Sequence, residues 1–88
     1  MLLLITACAT TAPVQEMSNA RQTIQAAVEA GAETHAPDEL ANARELLDDA
    51  SRELEVGNYP LARDYALQAK QQAMQARQTA LLKTRQKE

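Results

Sequence analysis

The sequence predicts an all-α domain: a three-helix antiparallel bundle, or a long helical hairpin with a preceding helix, closed by Ala-rich, coiled-coil-like seams. Three observations predict it. Apolar residues recur at steps of three and four along three successive segments, the spacing that lines one face of an α-helix. Eighteen of the 88 residues are alanine, Phe and Trp are absent, and Tyr59 and Tyr65 are the only aromatics, which suits slender helices in close contact. Beyond Pro13, glycine and proline fall only between the segments, at Gly31 to Pro37 and Gly57 to Pro60. A chain of this length makes one small domain with a modest core and little room for a ligand cavity.

Taken in order, the chain starts with Leu2-Leu3-Leu4-Ile5-Thr6-Ala7-Cys8, an apolar run that ends in a small residue and a cysteine. A membrane-embedded peptidase admits such a run, and the cysteine thiol is then available for acylation. Ile5-Thr6-Ala7-Cys8 resembles a lipobox, so residues 1–7 are expected to be the end of a truncated lipoprotein signal peptide and Cys8 the site of lipid attachment. The seven residues before Cys8 carry no charge. A basic n-region is therefore expected upstream of Met1. The small, uncharged residues that follow make 8–13 a lipidated, solvated tether.

The first helix is expected over about 14–33. Val14, Met17, Ala20, Ile24, Ala27 and Val28 form its stripe, Glu16 complements the dipole, and Gly31 caps the end ahead of Pro37. The second, over 37–56, has Pro37 in its first turn, where a missing N–H costs nothing. Its seam of Leu40, Ala43, Leu47, Ala50 and Leu54 alternates large and small residues. Gly57-Asn58-Tyr59-Pro60 then supplies a left-handed cap, an N-cap and a first-turn proline. The third helix, over 59–84, has an almost pure alanine seam of Ala62, Ala66, Ala69, Ala73, Ala76 and Ala80. Leu61, Tyr65, Leu67, Met74, Leu81 and Leu82 flank it and offer a second contact face. Residues 85–88 carry no apolar side chain and are expected to fray.

The charges are unevenly divided. Residues 1–56 hold ten acids against Arg21, Arg44 and Arg52, while residues 57–88 hold Asp64 and Glu88 against six bases. The basic helix is expected to lie across the acidic pair, with surface ion pairs contributing orientation more than stability. No chemistry-bearing constellation emerges, and no catalytic, cofactor-binding or metal-binding residues are assigned. His35 has no second histidine, Cys8 is taken by lipid, and Glu45, Asp48, Asp49 and Glu53 spread around a helix as a solvated face. The bases lack interleaved aromatics and the chain is acidic overall, which argues against nucleic-acid binding.

Gly57-Asn58-Tyr59-x-x-Ala62 with Tyr65-Ala66 and Ala69 looks like half of a tetratricopeptide repeat, but no second copy follows at that repeat's period. A wider set of residues resembles the family of the domain of unknown function 4398. These are Ala20-Arg21, Ala30-Gly31-Ala32, Ala36-Pro37 with Glu39-Leu40, Ala43-Arg44, and Gly57-Asn58-Tyr59 with Ala62-Arg63, covering about 18–75. The resemblance implies a small helical Gram-negative envelope lipoprotein. Such domains also stand ahead of OmpA-like peptidoglycan-binding domains. No OmpA-like segment lies within these 88 residues, so peptidoglycan binding is not carried over.

The function expected is therefore a structural or adaptor role, without enzymatic activity. A lipid on Cys8 would anchor the chain at the periplasmic face of the outer membrane, where Ala9 in place of an aspartate favours outer-membrane sorting. The helices would meet another envelope protein or copies of the chain. The alternative is a non-covalent, peptidoglycan-associated spacer resembling murein lipoprotein. That family ends in the lysine joined to the wall, whereas Lys87-Glu88 ends this chain.

Overall fold

A computed structural model describes residues 11–86. It contains four helices: α1 (Val14–Glu29), α2 (Ala32–His35), α3 (Pro37–Glu55) and α4 (Tyr59–Gln86). The architecture is an all-α, three-helix bundle with α2 as a one-turn corner. α4 is the spine, and both α1 and α3 pack along it. One core cluster joins Met17, Ala50 and Ala66, and the other joins Ala27, Leu40, Ala76 and Ala80. Those levels make α1 parallel to α4 and α3 antiparallel to both. The result is a rod built along α4, whose 28 residues span about 42 Å.

All six alanines of the α4 seam are fully buried. They face Ala20 and Ala27 of α1 and Ala43 and Ala50 of α3, also fully buried. A buried methyl contributes only about 0.8 kcal/mol, so this core gains from close approach of backbones more than from large side chains. Met17 and Leu40, each 2% exposed, are the large exceptions and sit in opposite core clusters. Leu47, Leu54 and Tyr65 complete the first cluster while remaining partly exposed.

The turn after α3 is a Schellman cap. Gly57 is left-handed (φ 82°), its N–H donates to the Leu54 carbonyl at 3.1 Å, and Asn58 N–H donates to the Glu53 carbonyl at 2.9 Å. The Asn58 carbonyl accepts the first α4 bond from Ala62 N–H at 3.0 Å, which places Asn58 at the N-cap. Pro37 occupies the first turn of α3 behind Ala36, which leaves the helical region (φ −146°, ψ 53°), as a following proline disfavours α geometry there.

Four sequence expectations need correction. The first helix stops at Glu29 rather than near residue 33, because Gly31 is left-handed (φ 95°) and accepts from Thr34 and His35 N–H, starting α2 as a separate turn. The buried Ala32 and Ala36 on either side of that turn bring the chain onto Ala76 and Ala80. Val14, assigned to the buried stripe, is 68% exposed. The tether does not stay solvated as far as residue 13, since Pro13 is fully buried and the Thr11 carbonyl accepts from Arg63 Nη2 at 3.0 Å. The third helix does not end near residue 84, because α4 continues through Gln86. Cys8, the signal residues 1–7 and Lys87-Glu88 lie outside the described residues.

Candidate interaction surface

The face of α4 turned away from α3 carries the main unburied apolar surface among the described residues. Leu67, Met74 and Leu81 lie seven residues apart, so they stack two turns from one another in a single row. They are 46%, 49% and 39% exposed, and Leu82 beside the row is 49% exposed. In a bundle whose core is nearly all alanine, these are most of the large aliphatic side chains on the helix, and they point outward. The sequence marked both faces of this helix. The alanines won the inside because only methyl-sized groups allow α1 and α3 to approach one spine together.

Cations border the row. Met74, Arg77, Gln78, Leu81, Leu82 and Arg85 line a shallow groove at the C-terminal half, and Leu67, Lys70, Gln71 and Met74 line another at the N-terminal half. On the α1 side, Lys70 and Arg77 adjoin Asn19, Gln22, Thr23 and Ala26, which are uncharged. Among the described residues, no acid lines any of these three grooves.

The expected charge pairing is only partly present. α4 has five bases and one acid, and α3 has seven acids and two bases. Yet the ion pair between α4 and the rest of the described residues is Arg63 to Glu16 at 3.4 Å. Arg44 to Glu33 (3.4 Å) and Arg52 to Asp49 are satisfied within the acidic half itself. α4 also meets the corner through Thr79 Oγ1 to Glu39 at 3.4 Å and Lys83 Nζ to the His35 carbonyl at 3.0 Å. Lys70, Arg77 and Arg85 make none of the ion pairs found among the described residues. Their positions on the outer arc of α4 turn them from the acids of α3. Net attraction between halves is visible in sequence, whereas the facing of each base depends on where α1 and α3 land on the spine.

His35 is half-buried at the corner, and its ring Cδ2 lies 3.4 Å from the site of a β-carbon on Gly31. Glu45 and Asp49 line a shallow depression with Asn42, Leu46 and Gln72 on the α3 side. Among the described residues, no three His, Cys, Asp or Glu side chains group to hold a metal ion. Nor is any described helix long and apolar enough to cross a membrane. The chemistry available to the α4 face is apolar contact combined with attraction for negative charge.

Residues 15–88 match the sequence family described as Domain of unknown function (DUF4398), a match that takes in the whole described bundle from its first turn. No curated protein and no solved structure matches the chain.

Proposed function

The chain belongs to the DUF4398 family, and from that premise we propose that it is a lipid-anchored envelope protein with a structural or adaptor role, whose α4 face docks another protein. The observation that carries the reading is the exposed row Leu67, Met74 and Leu81 with its bordering cations, on a bundle otherwise closed by alanine. Exposed apolar surface that continues along an element marks contact sites more often than single scattered side chains do.

The anchoring half of the proposal rests on Ile5-Thr6-Ala7-Cys8. Acyl chains on Cys8 would hold the protein at the periplasmic face of the outer membrane, and more than one chain is needed for stable retention. Because Arg63 grips the Thr11 carbonyl and Pro13 is buried, two residues, Ala9 and Thr10, separate Cys8 from the held Thr11, a reach of three Cα steps. At full extension that is about 10 Å. An acylated Cys8 would thus keep the Arg63 end of the rod close to the lipid surface and let the rod project from there.

No reaction is assigned. The grooves along α4 are lined by Leu, Met, Gln, Lys and Arg, and these supply no pairing of nucleophile and base. A second reading, a non-covalent peptidoglycan-associated spacer, draws on the elongated bundle, about 42 Å along the 28 residues of α4. Recovery of the chain on purified sacculi would favour it.

The test of the adaptor reading is photo-crosslinking in cells from two positions. A crosslinker replacing Met74 is expected to give discrete protein adducts, and one replacing Asp48 on the outer face of α3 is expected to give none. Adducts of equal yield from both faces, or none from position 74, would overturn it.

A further inference from the structure

We propose that the occupant of the α4 face is an acidic amphipathic helix of another protein, its apolar edge seated on Leu67, Met74 and Leu81 and its carboxylates beside Lys70, Arg77 and Arg85. The inference rests on the docking role proposed above and supplies the chemistry of the partner.

Spacing argues for a helix. Residues seven apart repeat every two turns, about 10.5 Å at 1.5 Å per residue. Only a second helix laid along α4 presents side chains at the same interval, which is why this repeat is the signature of helix pairing. The row from Leu67 to Leu81 spans about 21 Å, so the matching partner segment is about four turns long.

Charge argues for an acidic one. Lys70 and Arg77 stand on one edge of the row, Arg85 continues its line, and no acid lines the grooves around them. Arg44, Arg52 and Arg63 have intramolecular carboxylates, whereas these three cations form no ion pair among the described residues. The neighbouring α1 residues Asn19, Gln22 and Thr23 are polar and uncharged, so they border the seat without competing for the partner's carboxylates. Positions flanking a helical seam set partner choice through complementary charge.

Two other occupants fit less well. A second copy applied face to face brings further cations and no acid from the described residues of the face. Applied through its acidic α3, a copy offers Leu46 as the one large apolar residue of that groove, too little to cover three. A lipid surface asks for a broad apolar face, while here Gln71 and Gln78 flank the row and Leu82 widens it only at its C-terminal end.

The experiment titrates the full chain with two synthetic amphipathic helices as long as the row. Both carry leucine along the seam, flanked by glutamate in one and by lysine in the other. Binding is read from amide shifts on α1 and α4. The glutamate helix is expected to bind at least about tenfold more tightly than the lysine helix, and K70E combined with R77E is expected to reverse that order. Met74→Glu is expected to abolish binding of both, with circular dichroism unchanged because the side chain is half exposed. Equal affinity for the two helices, binding to anionic phospholipid vesicles without binding to either helix, or a dimer of the chain that covers Met74 would overturn the proposal. If the peptides fail while position 74 still crosslinks in cells, the partner chemistry is wrong and the docking role stands; if both fail, both fall.

Discussion

Substituting Ala76 by leucine puts a direct load on the principle that holds this bundle together. Ala76 is fully buried and packs in one cluster with Ala27 of α1, Leu40 of α3 and Ala80. Two opposing terms decide the sign. If space were present, burying the larger side chain would stabilise by about 2 kcal/mol. None of the Ala76 surface is accessible and its cluster closes on it with Ala27 of α1 and Leu40 of α3, so three added carbons must push those helices away. Overpacking of this kind costs about 1 to 3 kcal/mol, and insertion against backbone belongs at the upper end. A loss of about 3 kcal/mol lowers Tm by about 12 to 24 °C in a domain of this size. It also approaches the whole net stability of a core this small, about 3 to 5 kcal/mol. The assay is urea and thermal denaturation followed by helical circular dichroism, with Gln75→Leu on the exposed side of the same turn as control, expected within about 0.5 kcal/mol of wild type. An Ala76→Leu variant as stable as wild type, or more so, would refute the close approach of the three backbones.

Two further outcomes follow from the turns and the N-terminal clasp. Gly57→Ala is expected to cost about 1 to 2 kcal/mol in the same assay, wholly from its left-handed backbone, since nothing lies within 4 Å of an added β-carbon; Gly31→Ala should cost a similar amount for the same backbone reason, its added β-carbon meeting the His35 ring at 3.4 Å. Arg63→Ala removes a half-exposed ion pair to Glu16 and the bond to the Thr11 carbonyl. Global stability should fall by no more than about 1 kcal/mol, while amide exchange at Val14, whose N–H donates to Ala12, should accelerate.

Much of this fold is legible in the sequence because its core is a spacing and not a set of shapes. The six alanines of α4 step by three and four, and every one of them is buried. Gly57-Asn58 announced its cap because a left-handed glycine followed by a residue whose carbonyl starts the next helix is a local matter. Three features were not local. Gly31 ends one helix and opens another, and whether the chain resumes helix after a left-handed residue depends on Ala32 and Ala36 finding Ala76 and Ala80. Pro13 looks like linker, and it is buried because Arg63, fifty residues away, draws the strand before it onto α4. Val14 fits the apolar period of α1 and yet faces solvent, because periodicity fixes the face of a helix but not how far along it the neighbours reach. Of the candidate surface, the second apolar row was readable in sequence. Its acid-free border was not, because that depends on α1 presenting Asn19, Gln22 and Thr23 there while the acids of α3 lie on the far side.

The anchor gives the rest of the functional account its location, and one measurement addresses it. Cells expressing the chain are fed a fatty-acid probe, and wild type is compared with Cys8→Ala. The account predicts a labelled wild-type protein that fractionates with the outer membrane and an unlabelled variant that does not. A wild-type chain that takes up no label, with its α4 face intact, would contradict the lipid attachment at Cys8 and remove the envelope setting on which the adaptor role depends.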